Sequence, residues 1–517
     1  MSAEGRGRDR GRGSRSGTDT VLGSPTGAAI LAGLAVACHT LMFPPFGLDS
    51  LAWVAPLPLL LLGLWCPRRS VILAGWAIGT LQALLINGLW LLPAIRSVFD
   101  LSWLAAGGLL LLEAQIVGGI PFAVLALLLR VGARLPPAAF VLYAPAAWVA
   151  VEYGRGHSPL AAPWALLGSA LSEQALPIQV ADLGGVYAVS FVAVLPSAAI
   201  AALLVSHRDR RTLAAAATAA ALVAAALGYG AFRLRSLEAE MRDAPTLRIA
   251  LVHAELVDAE RLSAAWAPHN VDRYLALGPP AGAAIDVVVW PENTVGVLLE
   301  DNPELVARIA ARTAQTPYLI GGPRLVEAMP RSLRASAFLI GAHGIEATYD
   351  KRRLLPAAET WGGGWGALLG FGAGADGVPF DVRGTHIGTS ICFEAVFPDL
   401  ARADARAGAD LLVNISNDSW FAHGAGPRLH FLLGRLRAVE TRRAVARVAN
   451  GGITALVLPD GRLAATADDA PGALIVAAPF LHTETVYVRI GDAFAWLCIA
   501  GVALGLAAAI RRSRLAS

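Results

Sequence analysis

Gly388-Thr389-Ser390-Ile391-Cys392-Phe393-Glu394 reads as a strand that stops on a cysteine, and Ala395-Val396-Phe397-Pro398 follows where a helix can begin. A cysteine between a strand end and a helix start sits where backbone N–H groups point outward, which favours a thiolate and a developing oxyanion. The same residue also reads as a small buried hydrophobe, as most free cysteines are. Two further strand ends bear on the choice. Asp286-Val287-Val288-Val289-Trp290-Pro291-Glu292 is a short apolar strand that delivers a carboxylate, and Tyr349-Asp350-Lys351-Arg352-Arg353 places a lysine after a strand-like segment. One acid, one lysine and one cysteine thus stand at three strand edges far apart in the chain.

Around these lie further candidate strands at 247–253, 318–321, 337–340, 410–415, 453–458 and 473–478, with helical patterns between them at 302–314 and 428–445. Such alternation predicts an α/β domain over 246–480. In the second of these helices Arg435, Arg437, Glu440 and Arg443 recur at three- or four-residue spacing, which predicts an ion-paired helix.

The remainder of the chain is of a different kind. Hydrophobic residues make up 56% of the 517 and charged ones 16%, and the mean hydropathy is +0.56. These values exclude an ordinary soluble protein. Apolar runs fall near 24–43, 51–66, 70–92, 103–130, 138–153, 184–205, 212–234 and 490–510, most of them within the span length of about 17 to 25 residues. The sequence therefore predicts about eight spans, with a helical membrane domain over 21–240, a last membrane helix over 488–511, and a disordered Arg/Gly-rich tail over 1–20. Arginines cluster in the tail, at Arg68-Arg69, at Arg130 and Arg134, at Arg208 to Arg211 and at Arg511 to Arg514. These are alternate loops and both ends, so the positive-inside rule puts them in the cytoplasm and the α/β domain on the opposite side.

The net charge of +3 is small and gathered on no single face, which argues against nucleic acid as a partner. Cys38, Cys66, Cys392 and Cys498 have no metal-binding or disulfide spacing, and no metal or other cofactor is expected.

With Glu292, Lys351 and Cys392 in this order, residues 246–480 resemble the nitrilase superfamily, whose members use a Glu, Lys, Cys triad. Two more segments, Glu152-Tyr-Gly-Arg155 with Pro163-Trp164, and Gly184-Gly185-Val-Tyr-Ala-Val-Ser-Phe191, resemble its membrane branch, the bacterial apolipoprotein N-acyltransferases. The resemblance implies a four-layer α-β-β-α sandwich beside the polytopic helical domain. It also implies acyl transfer from a phospholipid, through a cysteine thioester, to the amine of diacylglyceryl-cysteine at a lipoprotein's N-terminus. Cys392 would be the nucleophile, Glu292 the proton acceptor and Lys351 an oxyanion donor, together with the backbone N–H after Cys392. Glu359 would orient the lysine and Glu394 would support the triad.

Asn417 and Asp418 read as structural, and His430 as a residue that caps or packs. Candidates for lipid contact are Trp164, also an interfacial anchor by its loop composition, together with Trp266, Trp361, Trp365, Trp420 and Phe421; the glycine-rich stretch of Trp361 and Trp365 also reads as a mobile lid. The chain departs from the family pattern at Pro356-Ala-Ala-Glu359, at Phe393 in place of a tyrosine, and at His253-Ala-Glu255. A membrane-anchored amidase using the same triad with water, and a non-catalytic membrane partner, are the competing classes.

Overall fold

A computed structural model describes residues 24–516 apart from 159–162, 257–262, 281, 313–315, 329–330, 357, 361–370, 376, 422–423 and 468–469. The expected N-terminal tail, Trp361 and Trp365 lie outside the described residues. Helices occupy the positions of all eight apolar runs. They are α1 (Pro25–Leu41), a segment from Asp49 closing in α2 (Pro56–Trp65), α3 (Arg68–Phe99), α4 (Trp103–Ala114) running through a π turn into α5 (Ile120–Gly132), α6 (Pro137–Gly156), α7 (Ala181–Ser206), α8 (Arg210–Arg242) and a C-terminal helix, Ala493–Ala516. Among the described residues five helical segments are long and apolar enough to cross a membrane, while Pro25–Leu41 and Asp49–Trp65 are shorter. Leu89, Leu104 and Leu504 point outward at more than 70% exposure, as suits lipid rather than water around the bundle.

Small residues let the helices approach. A Cβ on Gly79 of α3 would lie 2.2 Å from the Gly118 carbonyl oxygen, so the π turn Gln115–Gly119 crosses α3 backbone to backbone. Gly184-Gly185 breaks α7 in the same spirit: Gly185 has φ +68°, and the next amide, Val186 N–H, leaves the helix ladder to donate to Glu440.

The described residues of the α/β part hold twelve strands: β1 (Thr246–His253), β2 (Val287–Val289), β3 (Tyr318–Ala328), β4 (Arg331–Gly341), β5 (Gly344–Asp350), β6 (Phe380–Val382), β7 (Thr385–Ile391), β8 (Leu411–Asn417), β9 (Val445–Asn450), β10 (Ala455–Val457), β11 (Leu463–Thr466) and β12 (Gly472–Pro479). They form two six-stranded sheets, ordered β12-β1-β2-β3-β4-β5 and β11-β10-β9-β8-β7-β6. Strand period explains the layering. Leu247, Ile249 and Leu251 of β1 meet Ile387, Val413 and Val448 of the other sheet in one core. Ala250 and Val252, on the opposite face, pack against α9 (Ala267–Leu277) and α10 (Pro303–Ala310). On the far side Leu412 and Val445 meet α11 (Pro398–Arg406) and α12 (Gly426–Thr441). The result is the four-layer α-β-β-α sandwich.

Helix α12 ends at Thr441 because Arg442 turns into the left-handed region, φ +53°. The chain then becomes β9, a strand that the expected helix over 428–445 had partly covered. The arginine-rich helix also differs from expectation. Arg437 and Glu440 do pair, at 2.8 Å, but Arg435 pairs off the helix with Glu173 at 3.5 Å while donating to the Gly461 carbonyl, and Arg443, past the helix end, donates to the carbonyl of Ala409. The physical reason is position: from Leu429 onward α12 is buried between its sheet and α7, so these charges have no solvated face on which they could simply alternate. Arg442 completes this seam between the two parts, giving Asp182 a 2.6 Å ion pair and Gln179 Oε1 a 2.7 Å hydrogen bond.

Candidate active site

Three strand ends converge. Glu292 follows β2, Lys351 follows β5 and Cys392 follows β7, and all three side chains are buried. Lys351 Nζ donates to Glu292 Oε1 at 3.2 Å and to Glu359 Oε1 at 2.7 Å. The other Glu292 oxygen accepts from Asn417 N–H at 3.0 Å, and the other Glu359 oxygen from Leu355 N–H at 2.6 Å. Burial pulls the Lys351 pKa down, but the charges of Glu292 and Glu359 overcome it and hold the ammonium well above the usual range.

Cys392 behaves differently from the expected thiolate. Burial, and then the Glu292 carboxylate, push its thiol above the ordinary value, against the opposing pull of Lys351. The five-residue 3-10 turn that begins at Cys392 is too short to offset burial. The resting residue is therefore a thiol that requires a base at the moment of attack. Because the pKa is raised, the thiol keeps its proton throughout the range in which an ordinary cysteine, near about 8.5, ionises. Alkylation of the substrate-free protein by iodoacetamide should thus stay slow through pH 8.5 and accelerate only at higher pH. A rate profile with its midpoint at or below pH 8 would contradict this.

Cys392 has φ +52°, in the left-handed region that costs a residue with a Cβ about 1 kcal/mol or more. Glu394 holds this turn. Its Oε2 accepts from Ile391 N–H at 2.7 Å and from the Tyr349 hydroxyl at 2.8 Å, while its Oε1 accepts from the N–H groups of Arg352 and Arg353 at 2.6 and 3.0 Å. One buried carboxylate therefore rivets the cysteine turn to the lysine turn. Behind the cysteine, His430 Nε2 stands 3.2 Å from the Cys392 carbonyl oxygen.

Cys392, Phe393 and His430 line an apolar cavity of about 280 Å³. Also lining it are Trp90, Leu91, Ala94, Ile95, Val98 and Phe99 from α3, Leu109 and Leu112 from α4, and Ile116 from the π turn. Trp420 and Phe421 also face it, and Phe421 meets Trp90 edge to face at 4.8 Å. Trp164 lies on the wall, its indole N–H bonded to Asn87 Oδ1 at 3.2 Å. Trp266 is 41% exposed, packs on His269 and is not among the residues lining the cavity. Among the described residues no group of three His, Cys, Asp or Glu side chains could hold a metal ion.

Sequence reasoning passed over Asn87, Trp90 and Glu113, which also line the cavity, with Asn87 bonded to Glu113 at 3.0 Å. Polar side chains inside apolar runs were the available clue, since lipid-embedded polar groups face the bundle interior.

The family profile for carbon-nitrogen hydrolases matches residues 234–483, and that for the apolipoprotein N-acyltransferase N-terminal domain matches 35–199. The apolipoprotein N-acyltransferase of Geobacter metallireducens is 32% identical over 508 residues, covering 94% of this chain and 95% of its own. That of Caulobacter vibrioides is 29% identical over 537 residues, covering 95% of both chains. Among solved structures, an amidase from Nesterenkonia sp. has 19% identity and a TM-score of 0.36, covering 48% of this chain and 95% of that chain. With both profiles in order along it and a 32% identical relative matched nearly end to end, the chain belongs to the apolipoprotein N-acyltransferase family.

Proposed function

We propose that this membrane enzyme takes an acyl chain from a phospholipid onto Cys392 as a thioester and passes it to the N-terminal amine of diacylglyceryl-cysteine in a lipoprotein. The observation that carries the reading is the apolar cavity, lined by two membrane helices and by the cysteine of a Glu-Lys-Cys cluster. A soluble amide has no use for such a groove; an acyl chain does.

In the first half-reaction Glu292 takes the thiol proton as Cys392 Sγ attacks the ester carbonyl carbon. Negative charge grows on the carbonyl oxygen, where Lys351 and the Phe393 N–H supply donors, each such donor being worth about 3 kcal/mol in comparable sites. The C–O bond breaks, and the departing glycerol oxygen receives the proton from Glu292. In the second half the amine attacks the thioester carbon, Glu292 accepts its proton, and the thiol reforms as the amide leaves. Glu359 holds the lysine toward the cluster and Glu394 holds both turns. The alternating arginine clusters support eight crossings, with the catalytic part on the extracytoplasmic side.

The test is to incubate the full chain with a phospholipid labelled in its acyl chain and a diacylglyceryl-cysteine peptide. Equal yields of labelled N-acyl peptide and lysophospholipid are expected; labelled free fatty acid without acylated peptide would overturn the transferase reading. Ala94, buried on the cavity wall, offers a control. Ala94→Phe should cut transfer by at least about tenfold by occupying the groove, while iodoacetamide still reaches Cys392.

A further inference from the structure

We propose that His430 is a positioning residue for acyl transfer: with Asn414 it grips the Cys392 carbonyl, and so sets the direction and donor strength of the Phe393 N–H that meets the oxyanion. This rests on the thioester reading above.

The ring's surroundings determine where its proton lies. Nε2 is 3.2 Å from the Cys392 carbonyl oxygen, which can only accept, so Nε2 carries a proton in either charge state of the imidazole. Nδ1 faces Asp418 Oδ1 at 3.0 Å and Arg447 Nη2 at 3.1 Å. With Nε2 occupied by a backbone carbonyl, His430 is not aimed at the thiol and does not compete with Glu292 as base. The ring is 1% exposed, and Asp418, which orients it, is itself held by Arg447 Nη2 at 2.6 Å and the Ser416 hydroxyl at 2.8 Å.

Arg447 also fixes the second donor. Its Nη1 bonds Asn414 Oδ1 at 2.5 Å, which turns the Asn414 amide nitrogen toward Ser390 O at 3.2 Å and Cys392 O at 3.4 Å. A single arginine inside β9 thus aligns two donors on one carbonyl. The peptide bond is planar and trans, so a carbonyl held on that side directs the Phe393 N–H to the opposite side. Hydrogen bonds to the carbonyl also polarise the amide and strengthen its N–H as a donor. The strained φ of Cys392 makes such a hold necessary, because an unrestrained peptide would rotate toward the extended region.

The experiment compares full-length wild type, His430→Phe and His430→Gln in two reactions at one pH. One is the rate at which phospholipid forms the Cys392 thioester, read by mass spectrometry. The other is alkylation of Cys392 by iodoacetamide, which passes through no oxyanion. His430→Phe keeps the ring and removes the donor, so thioester formation should fall about ten- to a hundredfold while alkylation stays within about twofold. His430→Gln restores an N–H near the position of Nε2 and should recover the thioester rate to within about fivefold of wild type. Unchanged thioester formation in His430→Phe would overturn the proposal, as would parallel losses in both reactions without rescue by glutamine. Either result leaves the acyl-transfer reading standing, since all three proteins retain the triad.

Discussion

Replacing Cys392 by alanine is expected to eliminate the acyl-enzyme and lower transfer by at least about 10⁴-fold, the scale on which removal of a covalent nucleophile acts. The argument is local. No other described cysteine can substitute, because Cys38, Cys66 and Cys498 lie on α1, at the end of α2 and on the C-terminal helix, and none lines the cavity. Serine should fare little better. Its hydroxyl is far harder to deprotonate than a thiol already held above its usual pKa, and an oxygen ester is a poorer acyl donor to an amine than a thioester. Alanine should leave the fold intact, with Tm within about 2 °C of wild type, since it removes one small buried group and keeps the Glu394 rivet. Transfer at a tenth of the wild-type rate in Cys392→Ala would eliminate the covalent mechanism.

Lys351→Met should damage both activity and stability. The ammonium is 1% exposed and stands between two carboxylates, so methionine fills the space and leaves Glu292 and Glu359 facing each other without a cation. Breaking a buried pair in this way costs about 3–5 kcal/mol, because the remaining charges are stranded. For the sandwich this corresponds to a fall in apparent Tm of about 10 °C. Thioester formation should drop by about 10²–10³-fold from loss of an oxyanion donor. Adding Glu359→Gln removes one stranded charge and should return part of the lost Tm while restoring no activity. A Lys351→Met protein with wild-type Tm would mean that its carboxylates are not coupled as the geometry requires.

The parts of this molecule legible in the sequence were those whose physics is local. Apolar runs of membrane length and strands with both faces buried carry their signature in each residue, and Glu292, Lys351 and Cys392 were visible because each follows such a strand. β6, three residues, and β11, four, are too short to show a period. β9 was obscured because the expected helix over 428–445 ran into its first residue, and because the buried Arg447 finds its partners only when Asn414 and Asp418, 33 and 29 residues away, are placed around it. The Cys392 thiol illustrates the same limit: a strand-to-turn cysteine suggests an ionised sulfur, yet burial and a carboxylate 100 residues distant in sequence reverse the sign. Trp164 suggested an interfacial anchor by its loop composition; its place on the cavity wall follows from packing against Trp90 and His430, which loop composition does not show.

The pairing of β1 with β12, in register from Thr246↔Pro479 to His253↔Gly472, has a consequence for biosynthesis. The ribosome makes the first strand of the sandwich more than two hundred residues before the one that covers its edge. At about 5–20 residues per second, β1 waits some ten seconds or longer with a row of backbone groups open to water or to a wrong strand. A nascent chain interrupted between Asp350 and Gly472 therefore ends as an open sheet behind the helical part, a natural substrate for quality-control proteases. The finished chain closes that edge last, and the C-terminal helix begins only fourteen residues later, at Ala493.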